Sequence, residues 1–317
     1  MLPNLSEIES AAAIVHEVVP PTPQICWPLL CERLGIEVWV KHENHTPIGA
    51  FKLRGGLVYF DDLSGHRPPG VVSATRGNHG QSVACAARRY GIPATIVVPQ
   101  GNSREKNAAM RAQGARLIEH GTDFQSAREF AESLAHDEKL HMVPPYHPLL
   151  IRGVATGSLE LLRTVADLDT VYVPIGMGSG ICGMLACRDA LGLRTTIVGV
   201  VSAQAPAYAL SFAAGTPVEH AVTTRLADGL AVRTPDAAAL EIIRRGVDRI
   251  VEVSDEEIGT AMRVIFECTH NVAEGAGAAA TAAAIQEKPR LGGRRIAVVL
   301  SGGNIDRELF ASVLAAN

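Results

Sequence analysis

Lysine is rare in this sequence, and one of the few lysines stands where it could act as a nucleophile. The 317 residues include 29 lysines and arginines, and the lysines are Lys41, Lys52, Lys106, Lys139 and Lys288. A neutral lysine amine can form a Schiff base, which an arginine guanidinium cannot. Lys52 stands between a predicted strand and a predicted helix, where α/β sheets place ligand-binding groups. Taken alone, however, a surface lysine at a helix start is the better explanation.

Residues 176–180 read Gly-Met-Gly-Ser-Gly, a segment suited to bind an anion. They follow a predicted strand and precede a predicted helix, so their backbone N–H groups and the helix dipole favour a phosphate. Gly178, Gly180 and Gly183 also match the G-x-G-x-x-G pattern of dinucleotide-binding proteins. That pattern requires a carboxylate after the next strand, where residues 202–204 read Ser-Ala-Gln. The segment therefore predicts a site for a monophosphate cofactor, and a dinucleotide is the less favoured alternative.

Two further polar turns follow predicted strands. Residues 73–82 contain Gly77-Asn78-His79, and the successive N–H groups of this turn could bind a second anion such as a carboxylate. A plain turn capped by Asn78 is the alternative. Residues 299–304 form an apolar strand that ends in Ser-Gly-Gly-Asn, and a tight turn without a binding function is the alternative there.

Composition excludes several classes of function. The net charge is -4 and no stripe of basic residues is present, which argues against a nucleic-acid partner. The apolar runs are of strand length, too short to span a membrane. The first residues carry Glu7 and Glu9 and not the basic segment of a secretory signal, so a cytoplasmic protein is expected.

The cysteines point to neither zinc nor disulfides. Six cysteines are scattered along the chain without a C-x-x-C pair. Zinc ligation requires thiolates or imidazoles at close spacing, and that spacing is missing. Buried, reduced thiols are therefore expected.

The alternation of short β-branched runs with alanine-rich stretches predicts an α/β fold with a largely parallel sheet. Strands are predicted at residues 37–41, 70–74, 94–99, 116–120, 170–175, 195–201, 249–253 and 296–300. Helices are predicted at residues 80–90, 103–113, 124–135, 153–164 and 255–270, among others. Residues 141–150 contain three prolines and no periodicity, and they are predicted to cross between two lobes.

In this order and spacing, the motifs resemble those of the fold-type II pyridoxal-phosphate (PLP) enzymes. The segments that carry the resemblance begin at Ala50 (Ala-Phe-Lys-Leu-Arg-Gly), Gly77 (Gly-Asn-His-Gly-Gln), Gly176 (Gly-Met-Gly-Ser-Gly), Ala227 (Ala-Asp-Gly), Glu274 (Glu-Gly-Ala-Gly) and Ser301 (Ser-Gly-Gly-Asn). The chain is most similar to the serine/threonine dehydratases, from about residue 21 to about residue 306. The resemblance implies two lobes of tryptophan synthase β-like fold, each a mostly parallel sheet flanked by helices. The large, PLP-binding lobe would comprise residues 1–53 and 151–317, and the small, substrate-binding lobe residues 54–150.

The resemblance also implies a role for each motif residue. Lys52 would hold the cofactor and act as the base at the substrate Cα. The cofactor would contact Phe51, Lys52, Asn78, Gly176, Met177, Gly178, Ser179, Gly180, Glu274 and Ser301. The substrate carboxylate would be bound by Thr75, Arg76, Gly77, Asn78 and His79. Within these sets, Phe51 would flank the ring, Asn78 would bind its phenolic oxygen, and Ser301 would face the pyridine nitrogen.

The neutral hydroxyl of Ser301 has a chemical consequence. It can share a hydrogen bond with the pyridine nitrogen but does not hold that nitrogen protonated, as a carboxylate would. The ring is then a weaker electron sink, so loss of a β-substituent as the Cα proton leaves is the easier route. The predicted function is a PLP-dependent lyase that removes water and ammonia from a β-hydroxy-α-amino acid and gives a 2-oxo acid.

Three features depart from the common dehydratase pattern. Arg76 occupies a position that is usually serine, the acid–base group of the racemases, so a racemase is a less favoured alternative. Arg76 could bind a substrate carboxylate or be a solvated arginine at a turn, and both interpretations stay open. Residues 201–208 carry no carboxylate where racemase-like members bind a divalent cation, so no metal is expected. Tyr146 and Val154 differ from the common pattern at positions that are expected near the substrate pocket. Together with Arg76, they add phenylserine and 3-hydroxyaspartate to threonine and serine as candidate substrates.

Two other functions stay open at this point. A β-replacement synthase of the cysteine synthase type is one, although that family carries a Thr-rich Gly-Asn-Thr loop where this chain reads Gly77-Asn-His79. A nucleotide-binding regulatory protein that uses residues 178–183 is the other. The expected partners are a small amino-acid substrate and further copies of the chain, in a homodimer or a higher homo-oligomer, with no nucleic acid and no membrane.

Overall fold

The computed structural model describes residues 2–316, in which strands and helices alternate along the chain. The strands are β1 Gln24–Cys26, β2 Glu37–His42, β3 Val71–Ala74, β4 Ala94–Val98, β5 Arg116–Glu119, β6 His141–Met142, β7 Thr170–Pro174, β8 Thr196–Ser202, β9 Arg249–Val253 and β10 Arg295–Leu300. The α-helices are α1 Leu5–His16, α2 Pro28–Leu34, α3 Lys52–Ser64, α4 Asn78–Arg89, α5 Arg104–Ala112, α6 Phe124–Asp137, α7 Pro148–Thr164, α8 Ser179–Ala190, α9 Ala207–Ala214, α10 Ala237–Gly246, α11 Asp255–Thr269, α12 Gly275–Gln286 and α13 Arg307–Ala315.

The strands form two sheets. The larger sheet has the order β1-β2-β10-β7-β8-β9, in which only β1 runs antiparallel to its neighbour. The smaller sheet has the order β5-β4-β3-β6 and is parallel throughout. Parallel strands need helical crossovers that cover both faces of a sheet. The α/β class predicted from the alternating pattern is therefore confirmed.

Helices bury the large sheet from both sides. One apolar cluster joins β2, β8 and β10 to α11 and α12, and a second joins β7 to α7, α8 and α10 on the opposite face. Helix α12 is buried from Gly275 to Ala284. Its alanines are short enough for the helix to lie directly on the sheet and against α11, which explains the alanine-rich sequence.

The eight predicted strands all form, to within about two residues at each end. The structure adds β1 and β6, which are too short to show periodicity. Residues 141–150, predicted to cross between two lobes, include the short strand β6 and the start of helix α7. His141 and Met142 pair with Val71 and Val72, and helix α7 already begins at Pro148, where a proline is well tolerated.

Two other expectations need correction. Lys52 does not directly follow a strand, because residues 43–51 form a turn that the Thr46 hydroxyl closes on Ala50. The six cysteines are free, but only Cys182, Cys187 and Cys268 are buried. The others are half-buried because they lie near the edges of the packed layers: Cys26, Cys31 and Cys85.

Over residues 2–316, none of the helices combines the length and apolar character needed to cross a bilayer. The same part of the chain contains no cluster of three or more histidine, cysteine, aspartate or glutamate side chains arranged to hold a metal ion.

Candidate active site

One cleft collects all ten residues that the sequence predicts to contact the cofactor. The cleft has a volume of about 380 Å³ and is open to solvent; residues at the carboxyl ends of strands in the large sheet and Asn78, after β3 of the small sheet, line it. Its lining includes Phe51, Lys52, Asn78, Gly176, Met177, Gly178, Ser179, Gly180, Glu274 and Ser301. The chain leaves β7 and β10 at the same edge of the large sheet, which brings the glycine-rich turn and Ser301 together, whereas Asn78 reaches the cleft from the end of β3 in the small sheet.

Four helices begin at this cleft. Lys52, Asn78 and Ser179 are the first residues of α3, α4 and α8, and Glu274 immediately precedes α12. None of these four N-termini is capped by a side chain from the described part of the chain, whereas α1, α5, α6, α7, α10 and α11 are capped in this way. Uncapped N-termini present free N–H donors and a positive dipole end. The cleft is therefore built to bind anions.

The Lys52 amine lies inside this environment. Burial lowers the pKa of Lys52 from 10.5 to about 8, and the carboxylate of Glu274 limits that decrease. The ammonium also lies 4.7 Å from the centroid of the Phe51 ring. With a pKa of about 8, roughly one-tenth of the amine is neutral at pH 7, far more than for a solvated lysine. Lys52 is thus suited to nucleophilic attack and to proton transfer.

The glycine-rich turn lies across the cleft from Lys52. Gly178 has φ +102°, and a Cβ there would lie 2.8 Å from the Cβ of Ala239. A Cβ on Gly176 would lie 2.5 Å from the carbonyl oxygen of Gly229. Both positions therefore require glycine, and the resulting turn delivers its N–H groups to the start of α8. The Met177 carbonyl accepts a hydrogen bond from Tyr208 (3.0 Å), which holds the turn in place.

Asn78 is fixed in one orientation by two partners. Its amide nitrogen donates to Glu274 Oε1 at 2.5 Å, and its amide oxygen accepts from Asn304 Nδ2 at 2.8 Å. Asn304 also donates to the carbonyl of Ile48 at 2.8 Å. An amide nitrogen carries two N–H groups, so Asn78 retains one donor for a ligand in the cleft.

Ser301 and Phe51 close another side of the cleft. The two residues are linked by a hydrogen bond from the Phe51 N–H to the Ser301 carbonyl (3.1 Å), which ties the start of α3 to the end of β10. The Ser301 hydroxyl is nearly buried and lies 3.4 Å from the carbonyl oxygen of Ala276. The cleft therefore offers a neutral hydroxyl here.

Of the five predicted substrate-binding residues, one lines the cleft. Asn78 lines it, whereas Thr75 and Gly77 are buried beside it, linked by a hydrogen bond from the Gly77 N–H to the Thr75 hydroxyl (3.1 Å). Burial and the nearby Lys52 charge lower the pKa of His79 to about 3, so its ring is neutral. Arg76 is exposed.

Tyr146 and Val154, also expected near the substrate, lie elsewhere. The Tyr146 hydroxyl is 3.7 Å from the Cys182 sulfur, and neither Tyr146 nor Val154 lines the cleft of Lys52. Val154 instead lines an adjoining cavity of about 430 Å³, which shares Phe51 and Ser301 with the lining of that cleft. The expectation that these two residues line the substrate pocket therefore stays a prediction.

Sequence reasoning missed a buried charge network under the cleft. Arg54, two residues after Lys52, has no exposed surface and donates to Glu43 (2.8 and 3.1 Å) and Glu160 (2.7 and 2.9 Å). Lys41 donates to Glu160 at 2.6 Å. These contacts fix the first turn of α3 and hence Lys52. The scarcity of lysine, which drew attention to Lys52, was an available signal for Lys41 as well.

Comparison with known proteins matches nearly the whole chain. Residues 15–302 match the family described as pyridoxal-phosphate dependent enzyme. The L-threo-3-hydroxyaspartate ammonia-lyase of Saccharomyces cerevisiae is 32% identical over 99% of this chain and 97% of that protein. The L-threonine ammonia-lyase of Thermotoga maritima is 35% identical over 98% of this chain and 78% of that protein. The structure of processed threonine deaminase isoform 2 from Solanum lycopersicum matches with a TM-score of 0.90 and 29% identity, covering 100% of this chain and 95% of that one.

Proposed function

The chain belongs to the pyridoxal-phosphate dependent enzyme family and has its fold-type II architecture, and from this premise we propose that it is a hydroxyamino-acid ammonia-lyase. It eliminates water from a β-hydroxy-α-amino acid, and hydrolysis of the resulting enamine takes that water back, so the net products are a 2-oxo acid and ammonium. The single observation that carries this proposal is the convergence of the Lys52 amine and four uncapped helix N-termini on one cleft. The family also argues against the nucleotide-binding alternative.

The residues present fit the cofactor. The uncapped start of α8, with the glycine turn that only glycine can form, suits a phosphate dianion. The free N–H of Asn78 suits the phenolic oxygen, the Ser301 hydroxyl suits the pyridine nitrogen, and Phe51 lies beside the amine. The bound cofactor supplies an electron-withdrawing ring conjugated to the substrate nitrogen, which acidifies the Cα proton.

The chain supplies proton transfer and orientation. Lys52, whose pKa of about 8 is close to neutral, takes the proton from Cα. The free N–H groups at the start of α4 bind the substrate carboxylate and so turn Cα toward that amine. With the neutral hydroxyl of Ser301 beside the pyridine nitrogen, the bound ring would be a weak electron sink, which favours loss of the β-hydroxyl over other outcomes at Cα. The β-hydroxyl and the proton that Lys52 takes from Cα together make up the water that is lost.

Threonine, serine and 3-hydroxyaspartate are the proposed substrates, with phenylserine as a further candidate. The two similar ammonia-lyases act, by their names, on threonine and on L-threo-3-hydroxyaspartate. Arg76 lies on the turn that precedes α4 and is exposed, so a solvated role and a contact with a second substrate carboxylate both remain compatible with its position. Racemase and β-replacement activities are the competing outcomes in the assay below.

Lobe boundaries, assembly and location belong to the same proposal. The large lobe comprises residues 1–53 and 151–317 and the small lobe residues 54–150, a division supported by the two sheets. The protein assembles as a homodimer or a higher homo-oligomer and acts in the cytoplasm. Gel filtration with light scattering tests the assembly, and fractionation of the source cells tests the location.

A substrate panel tests the proposed reaction. Purified holoenzyme is incubated with L-threonine, L-serine, L-threo-3-hydroxyaspartate and phenylserine, and 2-oxo acid and ammonium are measured together. We expect equal amounts of the two products from at least one substrate, none from Lys52→Met, and wild-type rates from the matched control Lys139→Met at an exposed lysine. Appearance of the D-enantiomer without oxo acid, or consumption of O-acetylserine only with sulfide, would contradict the proposal.

A further inference from the structure

Lys106 is a buried lysine to which neither the motifs nor the proposed reaction gives a role. It lies on α5, which follows the second strand of the small sheet, and only 8% of its surface is exposed. Its ammonium reaches two carboxylates that belong to the large-sheet part of the chain: Glu274 Oε2 at 3.3 Å and Asp228 Oδ2 at 3.8 Å. These charges, together with Asp306, more than offset burial and raise the pKa of Lys106 above its usual value. Lys106 is therefore a permanent cation.

The stem of Lys106 packs behind the turn that precedes α4. A Cβ placed on Gly77 would lie 2.6 Å from the Lys106 Cδ, so the lysine occupies the space that a side chain at position 77 would fill. Gly77 has extended backbone and immediately precedes Asn78. The absent side chain is thus explained by close packing against Lys106.

The first turn of α5 is anchored to the end of the chain. The Ser103 hydroxyl donates to Asp306 Oδ1 at 2.5 Å, and the Glu105 N–H donates to the same oxygen at 3.2 Å. In return, Glu105 accepts a hydrogen bond from the Arg307 N–H at 2.9 Å. These contacts set the position from which Lys106 reaches the cleft.

Glu274 is the group through which Lys106 can act. It is 4% exposed, and its two oxygens are divided between Asn78 and Lys106. The other cation near Glu274 is Lys52, whose amine changes its protonation state during catalysis. A buried carboxylate stays ionised only while a counter-charge remains close. Lys106 is the counter-charge that does not change during turnover.

We propose that Lys106 is a positioning residue that keeps Glu274 ionised and oriented, so that Glu274 holds the Asn78 amide toward the bound cofactor. This inference rests on the proposed cofactor site but not on the identity of the substrate. The charged groups that face Glu274 and Lys106 are Lys52, Asp228 and Asp306.

The test compares Lys106→Met, Lys106→Arg, Glu274→Gln and the double variant Lys106→Met/Glu274→Gln as holoenzymes. The visible absorbance of the bound cofactor is titrated with pH, and kcat/KM is measured over the same range. In Lys106→Met we expect an ionisation on the acid side of both profiles to move upward by roughly one pH unit or more, because Glu274 has lost its counter-charge. We expect Lys106→Arg to keep the wild-type profile, since it restores the positive charge. Lys139→Met, at an exposed position, is the control.

The energetic coupling between Lys106 and Glu274 distinguishes a positioning role of Lys106 from a general structural role. In the Glu274→Gln background, Lys106→Met should cause no further shift of either profile. A Lys106→Met variant that loses the same fraction of activity at every pH, or whose effect adds in full to that of Glu274→Gln, would overturn the proposal. If Lys106→Met does not fold, Lys106→Gln takes its place under the same criteria. Failure of the proposed reaction would appear differently, as absence of 2-oxo acid from wild type with the absorbance titration still readable.

Discussion

Replacement of Lys52 by methionine should stabilise the cofactor-free protein at neutral pH. Burial lowers the pKa of Lys52 from 10.5 to about 8, so the charged amine is less favourable in the folded state than in the unfolded chain. One pKa unit corresponds to about 1.4 kcal/mol, which makes this penalty about 3 kcal/mol at pH 7. Methionine fills a similar volume without a charge, and Glu274 keeps Lys106 as its partner.

The penalty depends on pH in a defined direction. It is fully present below pH 8, where Lys52 is charged in both states, and it disappears as the pH rises from about 8 toward 10.5. We therefore expect Lys52→Met to raise the free energy of unfolding by about 3 kcal/mol at pH 7 but by only roughly 1.5 kcal/mol at pH 9.5.

Urea unfolding of the cofactor-free proteins at both pH values measures these differences. Lys139→Met is the control, because its side chain is exposed and its replacement should change stability by less than about 0.5 kcal/mol at either pH. A Lys52→Met variant that is less stable than wild type at pH 7, or whose gain is the same at pH 7 and pH 9.5, would refute the reasoning.

Three further predictions follow from the site. Gly178→Ala should weaken cofactor binding, measured by fluorescence titration, by at least about tenfold, because the new Cβ would lie 2.8 Å from the Cβ of Ala239. The control Gly192→Ala, at a positive φ with open space around it, should leave the affinity unchanged. Arg54→Met should reduce the free energy of unfolding by about 3–5 kcal/mol, because it leaves the buried Glu43 and Glu160 with Lys41 as their cation. A change of less than about 1 kcal/mol in urea unfolding would contradict a stabilising role of this charge network. The rate of cofactor uptake by the cofactor-free protein should rise about tenfold per pH unit below pH 8 and level off above it, and a stopped-flow rate independent of pH would show that neutral Lys52 is not the attacking group.

The motifs at strand ends were predictable from sequence because they depend on local chemistry. A glycine turn before a helix, an Asn-His turn and a Ser-Gly-Gly turn each carry their own signal. The large sheet brings the first and the third to one edge, and the Asn-His turn reaches the cleft from the small sheet. All ten predicted cofactor-contacting residues consequently line one cleft. Their individual roles remain predictions until they are measured.

The long-range charge pairs were not predictable in the same way. Lys106 looks like an ordinary lysine in the first turn of a polar helix, and its partner Glu274 lies 168 positions later in the chain. Arg54 is part of a recognised motif, but Glu160 reaches it only because α7 packs against α3. Such pairs are set by tertiary packing, which the hydrophobic periodicity of a single helix does not predict. The short strands β1 and β6 were not predicted for a related reason. They are defined by their pairing with β2 and β3, and their own sequences are too short to show a pattern.

The central claim is that the cofactor is held covalently by Lys52 and not by another buried lysine. Borohydride reduction of the holoenzyme, followed by protease digestion and mass spectrometry, locates the attachment directly. We predict that the peptide containing Lys52 carries the reduced cofactor and that the peptides containing Lys41 and Lys106 are unmodified. Label on Lys106 or Lys41, or no label on any lysine of a protein that releases 2-oxo acid, would contradict it.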